Sequence, residues 1–410
     1  KYYSLEVKVS DNAIETGFKT DPRSALWPNY SPPGELVFRR GSGSELFTEE
    51  GLAYLDFLSG IAVTSFGHSH PHLVSALTNQ ANDLWHLSNV FRIPAAEELA
   101  RRLVAVSFAD SLFLANSGTE AVEAGIKAIR GYQASKGHSQ RTRIIGFSES
   151  FHGRSLAALA AAGNQAHMKN FIPSDYGFDH VPWEDFAALE NAIDAKTAGI
   201  ILEPIQGEGG IRPINKEFLE SVRKLCDEHG LLLMFDEVQC GVGRSGHLFA
   251  HENFGVFPDV MALAKGLGGG FPIGVCLTTK AVAEPMVVGT HGSTFGGNSL
   301  AAAVGNAVLD LVLENGLLDD VKTKSQFFVQ ALEHLINKHP NKIESVHGLG
   351  FMLGVKCVVP SAELLVALRD KQLLVGKSGS NMIRLLPPLN VSREHLEKAI
   401  SIMDETLGEM

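Results

Sequence analysis

The stretch GLLLMFDEVQ, residues 230–239, directly follows a helix-like segment over 216–229. Gly230 is a suitable C-cap for that helix, because glycine readily takes the left-handed conformation in which many helices end. The apolar run over 231–235 then predicts a short strand covered on both faces, since no polar residue alternates with the apolar ones. A helix that leads directly into a buried strand is typical of a parallel sheet flanked by helices.

Comparable apolar runs recur between about residues 60 and 310, separated by longer helical patterns such as 119–135. The fold class predicted is therefore α/β, with a mostly parallel doubly wound sheet whose chemistry lies at the carboxyl ends of its strands. The further strands are predicted at 111–115 (SLFLA), 143–147 (RIIGF), 198–203 (AGIILE), 259–264 (DVMALA) and 273–279 (IGVCLTT).

The pattern changes after about residue 310, where long helices surround a glycine-broken pair of strands near 343–358. This change predicts a smaller α+β domain over 311–410, beside a large domain over 60–310. Residues 1–59 contain alternating and turn-rich pieces. They are predicted to form an N-terminal arm and a hairpin segment that packs with the small domain.

Composition restricts the class of protein. The 410 residues are 45% hydrophobic, and 35 Lys and Arg stand against 46 Asp and Glu, a net charge of −11. This balance argues against proteins that bind nucleic acid or anionic membranes, since both need dense positive patches. No run reaches the ~18 apolar residues of a membrane span. Together with four widely spaced cysteines, expected to be reduced, this predicts a soluble, cytoplasmic protein.

Lys265 directly follows an apolar strand and precedes the glycine-rich segment GLGGG, 266–270. Burial lowers the pKa of a lysine amine, which makes the amine available to form a Schiff base with an aldehyde. The glycines would let a flat ligand approach the backbone closely. Taken alone, Lys265 is better explained as a solvated charge at the end of a strand, so the motif needs support from other residues.

Asp236 ends the apolar run over 231–235 and should lie at the carboxyl edge of a central strand. A buried carboxylate needs a cationic partner, and the protonated ring nitrogen of pyridoxal phosphate is one. The alternative is an aspartate that caps the turn after the strand. Because Asp236 and Lys265 lie at the ends of two successive apolar runs, this alternative becomes less convincing.

Ser117, Gly118 and Thr119 lie between a predicted strand and a predicted helix. Backbone N–H groups at a helix N-terminus, with two hydroxyls beside them, form an anion site that suits a phosphate. Ser117 and Glu120 also match the S-x-x-E pattern of a capping box, which needs no ligand. Both descriptions can hold at once.

The histidines of GHSHPH, residues 67–72, could suggest a metal tract. No matching carboxylate or cysteine motif accompanies them, and Pro71 breaks the alternation that would align their side chains. We therefore predict no metal site and interpret the segment as a turn near the active site. The segments around 348–350 and 376–378 do not complete a nucleotide-binding motif.

Seven motifs occur together along the chain, and their combination is far more specific than any one of them. They are SGTEA (117–121), SFHGRS (150–155), LEPIQGEGG (202–210), FDEVQCGVGRSG (235–246), ALAKGLGGGFPIG (262–274), HGSTFGGN (291–298) and IRLLPPLNV (383–391). In order and spacing this set resembles the class III aminotransferases, and among them most closely the acetylornithine aminotransferases. The resemblance runs from about Pro28 to the C-terminus.

The resemblance implies a fold-type I enzyme that uses pyridoxal 5'-phosphate and works as a homodimer with shared active sites. Lys265 would bind the cofactor covalently and then move the proton in the reaction, and Asp236 would pair with the ring nitrogen. The other implied cofactor contacts are Ser117, Gly118 and Thr119 with the phosphate, Phe151 and Val238 with the ring faces, Gln239 with the 3-hydroxyl, and Thr294 with the phosphate in the neighbouring subunit.

The resemblance further implies ping-pong transfer of the 5-amino group of N2-acetyl-L-ornithine to 2-oxoglutarate, in arginine biosynthesis. Arg154 and Ser293 would contact the acyl-ornithine, and Arg384 would bind the α-carboxylate of glutamate or 2-oxoglutarate. Glu208 would neutralise Arg384 while the amine substrate is bound; the alternative is a permanent structural pair.

Other reactions stay open at this point. Ile61 stands where ornithine aminotransferases carry a tyrosine, which disfavours free ornithine as the main substrate. Succinylornithine, succinyl-diaminopimelate, ornithine and 4-aminobutyrate are the alternative amino donors. An aminomutase and a non-enzymatic binding protein are alternatives from other classes.

Overall fold

The structure is a computed structural model that describes residues 36–171, 176–314 and 316–410, with six further positions between 26 and 33. Of the arm and hairpin segment predicted over 1–59, residues 1–25 lie outside the described residues. All positions predicted for the site lie inside them.

Within these ranges the strands form four sheets. In chain order the strands are β1 (Phe38–Ser42), β2 (Glu45–Thr48), β3 (Ala53–Asp56), β4 (Ser111–Ala115), β5 (Arg143–Phe147), β6 (Phe178–Val181), β7 (Thr197–Leu202), β8 (Ile205–Gln206), β9 (Arg212–Pro213), β10 (Leu232–Asp236), β11 (Val260–Leu263), β12 (Gly274–Thr278), β13 (Ile343–Leu349), β14 (Met352–Cys357), β15 (Leu373–Leu374), β16 (Gly376–Ser378) and β17 (Met382–Leu385).

Helices connect most of these strands. In chain order they are the short turn α1 (Ser59–Ala62), α2 (Pro71–Asp83), α3 (Pro94–Ala105), α4 (Gly118–Ser135), α5 (Leu156–Ala162), α6 (Gln165–Met168), α7 (Phe186–Ala192), α8 (Lys216–His229), α9 (Lys280–Ala283), α10 (Ser299–Val312), α11 (Leu317–Lys338), α12 (Ser361–Asp370) and α13 (Arg393–Glu409). In the described parts of the chain, no single helix is long and apolar enough to cross a membrane, and α10 and α11 meet that test only as a pair bent by 68°.

The largest sheet has the strand order β4-β12-β11-β10-β7-β5-β6. Strands β6, β5, β7, β10 and β11 run parallel, whereas β12 pairs antiparallel with both β11 and β4. The link between β11 and β12, residues 264–273, is too short for the crossover helix that a parallel return requires. The predicted α/β fold with a mostly parallel sheet is confirmed, and the glycine-rich link explains its one reversed strand among the described residues.

Both faces of the sheet are covered, which explains the unbroken apolar runs. Met234 of β10 belongs to a buried cluster with α4 residues such as Ile129. The next residue, Phe235, belongs to a cluster on the other face, with α8 residues such as Val222. Because successive strand residues face opposite sides, β10 has to be apolar throughout.

The N-terminal hairpin is continuous with the C-terminal part of the chain. β1, β2 and β3 form a sheet with β15, which lies parallel to β3, and a fourth sheet has the order β13-β14-β17-β16. The division into 1–59, 60–310 and 311–410 stays a prediction.

The sequence pattern correctly predicts the end of α8 but misses the edge strand β6. Gly230 ends α8 with φ of 63°, as predicted for a glycine C-cap. The strand β6 was not predicted, because Asp179 and His180 interrupt its apolar character. β6 lies at the edge of the sheet, where polar side chains are tolerated.

Candidate active site

Lys265 follows β11 on a 3₁₀ turn at the carboxyl edge of the large sheet. Its φ is +42°, a left-handed value that is unusual for a non-glycine residue and that clusters at functional sites. Burial lowers the pKa of its amine, and the positive charge of Arg384 acts in the same direction. Lys265 is therefore an amine that gives up its proton more readily than a surface lysine.

Asp236 ends β10 and is 3% exposed. Its Oδ2 lies 2.8 Å from Nδ1 of the buried His152, and its Oδ1 accepts the backbone N–H of Val238 at 3.0 Å. Although burial opposes the charge on His152, the hydrogen bond to Asp236 and the charge of Asp236 raise the pKa of this histidine. Asp236 thus caps the turn after its strand and also lines the cavity beside Lys265.

The helix α4 begins at Gly118, on the same cavity. Ser117 Oγ accepts the backbone N–H of Glu120 at 3.3 Å, and the Glu120 carboxylate accepts the backbone N–H of Asn116 at 2.6 Å. These bonds cap the helix. The N–H groups of Gly118 and Thr119, in the first turn, have no carbonyl acceptor within the helix and stay suited to an anion.

A cavity of about 420 Å³ connects these groups. Phe151 and Val238 line it with apolar surface, and the Arg154 guanidinium carbon lies 5.2 Å from the Phe151 ring centroid. A Cβ on Gly118 would lie 2.7 Å from Cγ1 of Val238, so glycine allows α4 to begin this close to the wall. The predicted site residues that line the cavity are Ser117, Gly118, Thr119, Phe151, Arg154, Asp236, Val238, Gln239 and Lys265.

Arg384 and Glu208 form an ion pair beside this cavity. Nη1 of Arg384 donates to Oε1 of Glu208 at 2.6 Å and to Oε1 of Gln239 at 3.2 Å. The Arg384 side chain is 3% exposed, whereas that of Glu208 is 37% exposed. A buried guanidinium needs a carboxylate partner, and Glu208 is that partner here.

Ser293 and Thr294 lie outside the Lys265 cavity of their own chain. Ser293 Oγ accepts the side-chain N–H of Asn116 at 3.2 Å and the backbone N–H of Gly296 at 2.9 Å. Thr294 lines a neighbouring cavity together with Glu123. The described single chain therefore does not bring these two predicted residues to Lys265.

His152 and Glu203 belong to the site but were not predicted as site residues. The Glu203 carboxylate accepts the backbone N–H groups of Phe151 at 2.9 Å and Gly207 at 3.1 Å. Burial raises the pKa of Glu203 to about 7, although the charge of His152 opposes this shift. Glu203 ends an apolar run just as Asp236 does, so the same reasoning could have found it. A lone histidine in a loop carries no such signal.

The histidines of GHSHPH do not converge on one point. His68 Nε2 lies 2.7 Å from Oδ2 of Asp56, and His72 Nε2 lies 2.9 Å from Oδ2 of Asp310. His70 is the residue before the first turn of α2. Within residues 36–171, 176–314 and 316–410, no group of three or more His, Cys, Asp or Glu could hold a metal ion.

A family model described as aminotransferase class-III matches residues 28–407. The chain belongs to this family. Class-III aminotransferases are transferases that depend on pyridoxal 5'-phosphate and have fold type I, so the predicted enzyme class and cofactor are confirmed.

Individual class-III aminotransferases are similar over almost the whole chain. The acetylornithine aminotransferase of Mesorhizobium japonicum is 52% identical over 378 residues, which cover 92% of this chain and 94% of that protein. The ornithine aminotransferase of Toxoplasma gondii has a TM-score of 0.90 at 28% identity, covering 94% of this chain and 93% of the other. The N-acetylornithine aminotransferase of Stenotrophomonas maltophilia has a TM-score of 0.81 at 36% identity, covering 92% of this chain and 97% of the other.

The cavity of this class-III aminotransferase fits pyridoxal 5'-phosphate. When bound, the cofactor supplies an aldehyde that captures an amine and a protonated ring that withdraws electrons from the substrate. The Lys265 amine suits the aldehyde, the buried Asp236 carboxylate suits the ring nitrogen, and the N-terminus of α4 suits the phosphate.

Proposed function

We propose that this class-III aminotransferase reversibly transfers the 5-amino group of N2-acetyl-L-ornithine to 2-oxoglutarate. The products would be N-acetyl-L-glutamate 5-semialdehyde and L-glutamate, as part of arginine biosynthesis. The observation that carries the proposal is the Arg384–Glu208 pair beside Lys265, because an exchangeable pair lets one site accept substrates of different charge. The 52% identity to an acetylornithine aminotransferase supports the amino donor.

The residues around the cavity would divide the chemistry among them. Lys265 would hold the cofactor and, once substrate replaces it, move the proton at the amino-bearing carbon. Its lowered pKa leaves more of the amine unprotonated near neutral pH than in a surface lysine. Asp236 would keep the ring nitrogen protonated. The remaining contacts would be Phe151 and Val238 with the ring, Gln239 with its 3-hydroxyl, and Ser117, Gly118 and Thr119 with the phosphate.

Two arginines would bind the substrate carboxylates. Arg154, exposed at the cavity beside Phe151, would clamp the carboxylate of acetylornithine in a bidentate pair, with Ser293 as a further contact. Arg384 would bind the α-carboxylate of 2-oxoglutarate in place of Glu208. Because the Glu208 side chain is already 37% exposed, its carboxylate can turn into solvent, where water hydrates it.

We also propose a homodimer with shared active sites. The loop of Thr294 packs on the segment around residue 86: the His86 and Phe295 ring centroids lie 5.1 Å apart, and Asn89 donates to the carbonyl of Ser293 at 3.1 Å. Together these segments present apolar surface that suits a second copy, whose cofactor phosphate Thr294 would reach. Sedimentation velocity tests this, and a monomer mass would refute it. The exposed apolar residues are Leu84, Trp85, Val90, Phe91 and Phe295.

The proposed location is the cytoplasm. The four cysteines are buried free thiols, which suit a reducing compartment.

The visible absorption spectrum tests the function directly. Titration of the purified holoenzyme with N-acetyl-L-ornithine should remove the yellow band of the bound cofactor, and 2-oxoglutarate should restore it. Lys265→Ala should lose this response, whereas Lys224→Ala, which changes a lysine that is 77% exposed, should retain it. An unresponsive band in the unmodified enzyme would refute this amino donor.

A panel of amines then separates the alternatives. A response to succinylornithine, succinyl-diaminopimelate, ornithine or 4-aminobutyrate in place of acetylornithine would assign another ω-aminotransferase. Turnover of a single substrate with no net consumption of 2-oxoglutarate would indicate an aminomutase.

A further inference from the structure

A left-handed turn directly precedes Val63, a residue of the wall of the site. The four successive residues of α1, Ser59, Gly60, Ile61 and Ala62, have φ values of 49°, 60°, 66° and 62°. This conformation is costly for residues that carry a Cβ, and most of all for a β-branched residue such as Ile61. Such a turn persists only where its surroundings hold it in place.

Asp56 and His68 supply that support. Asp56 is 2% exposed, and its Oδ1 accepts the backbone N–H groups of Leu58 and Ser59, each at 2.9 Å. Its Oδ2 lies 2.7 Å from Nε2 of His68. His68 exchanges two backbone hydrogen bonds with Gly43, at 2.7 and 3.0 Å. One buried carboxylate thus connects the N-terminal hairpin to the first residues of the left-handed turn.

The turn contacts both parts of the site. Val63, the next residue, lines the cavity that contains Lys265. On the other side, Ser59 Oγ donates to the carbonyl of Leu386 at 2.7 Å. Leu386 follows β17, the strand that carries Arg384. The turn is therefore joined to the Lys265 cavity through the next residue and to the strand of Arg384 through Ser59.

Leu58 provides a second connection to Arg384. A Cβ on Gly376 would lie 2.8 Å from Cδ1 of Leu58 and 3.3 Å from Nε of Arg384. Gly376 also pairs with Arg384 across the small sheet. Leu58 and the guanidinium therefore lie close together, at the space that a side chain at position 376 would occupy.

We propose that Asp56 and His68 are positioning residues: by holding the left-handed turn, they set the position of Arg384 relative to Lys265 and thereby the affinity for the dicarboxylate substrate. Without the pair, the turn relaxes toward an unstrained conformation, and Leu58 and Ser59 move away from the strand of Arg384. This inference rests on the proposed transamination, because the affinity for 2-oxoglutarate is one of its readouts.

The first test uses His68→Ala and His68→Leu, both of which remove the hydrogen-bond partner of Asp56. We expect the KM for 2-oxoglutarate to rise about tenfold, with kcat changed by less than about threefold. The matched control is His72→Ala, which removes a histidine from a surface pair with Asp310 and should leave both constants unchanged. His68→Gln retains a donor toward Asp56 and should restore most of the affinity.

The second test asks whether strain in the turn is the cause. Ala62→Gly relieves strain without changing the pair, since glycine tolerates a φ of 62°. In the His68→Ala background it should return the KM for 2-oxoglutarate most of the way to the original value. Hydrogen exchange of the backbone amides over 57–64 should rise in His68→Ala and fall again in the double variant.

The outcomes separate this proposal from its alternatives. If His68→Ala lowers the thermal stability but leaves the KM for 2-oxoglutarate unchanged, the pair has a purely structural role and the proposal is overturned. If His68→Ala does not fold, His68→Leu, which fills more of the space left by the imidazole, provides the same comparison. Failure of the unmodified enzyme to consume 2-oxoglutarate would refute the proposed function instead, and hydrogen exchange would still show whether the pair holds the turn.

Discussion

Replacement of Glu208 by Gln should harm one half of the reaction far more than the other. The change removes the charge that neutralises Arg384 but keeps the size and one acceptor oxygen of the side chain. An amine substrate then meets an uncompensated guanidinium beside Lys265. The dicarboxylate, in contrast, brings its own negative charge and no longer competes with Glu208.

The geometry of the pair gives the magnitude. A hydrogen bond of 2.6 Å joins the two groups, so their charge centres lie about 4 Å apart, and their attraction is about 4 kcal/mol at an effective dielectric constant of ~20. Because the Glu208 side chain is 37% exposed, solvent screening reduces this value. A remaining effect of about 2 kcal/mol corresponds to roughly a thirtyfold loss of rate.

Stopped-flow absorbance of the bound cofactor measures each half-reaction separately. For Glu208→Gln we expect kcat/KM with N-acetyl-L-ornithine to fall roughly thirtyfold, and kcat/KM with glutamate to change by less than about threefold. The matched control is Glu228→Gln, which removes a surface carboxylate from its pair with Lys224 and should change neither rate. Equal losses in both half-reactions would show a permanent structural pair and refute the exchange.

Three further predictions concern stability and reactivity. Arg244 is 1% exposed and donates to the carbonyls of Phe351 and Pro387. Because Arg244→Met leaves these buried carbonyls without their donor, it should lower the free energy of unfolding by about 2–4 kcal/mol. An unchanged midpoint of urea unfolding would contradict this. Burial raises the pKa of Glu203 from 4.5 to about 7. The stability that Glu203 contributes is therefore fully present below pH 4.5 and is lost as the pH rises through 7. Between about pH 5 and about pH 8 the free energy of unfolding should therefore fall more in the unmodified protein than in Glu203→Gln. An equal fall in both proteins would contradict this prediction. The four cysteines are buried and burial raises the pKa of Cys226 and Cys276 to about 12, so a thiol reagent should label them only after denaturation, and labelling of the native protein would disprove their burial.

The local pattern of the sequence predicted the elements that carry the cofactor site. An apolar run followed by a polar residue marks the end of a buried strand, and this signal correctly placed Lys265 after β11 and Asp236 at the end of β10. The carboxyl ends of parallel strands meet at one edge of a sheet, so the two residues could be brought together without knowledge of the strand order. Ser117 was equally predictable, since a helix cap is a contact between near neighbours in the chain.

The resemblance to a family contributed roles that the local pattern alone does not assign. It directed attention to Glu208 and Arg384, whose ion pair is present although 176 positions separate them. It also assigned Ser293 and Thr294 to the active site, but in the single chain they lie on a different cavity. Their assignment stays a prediction that depends on a second copy of the chain.

The sequence by itself therefore determined the class of fold, the strand-end lysine and aspartate, and the helix N-terminus that suits a phosphate. Only the tertiary structure decided which distant side chains meet: His152 with Asp236, and His68 with Asp56 beneath a left-handed turn. The physical reason is that strand ends and helix caps depend on near neighbours, whereas a contact across 84 residues depends on how loops close and which strands pair. A histidine has the same identity in a solvated loop and in a buried pair, so its role becomes visible only when its neighbours are in place.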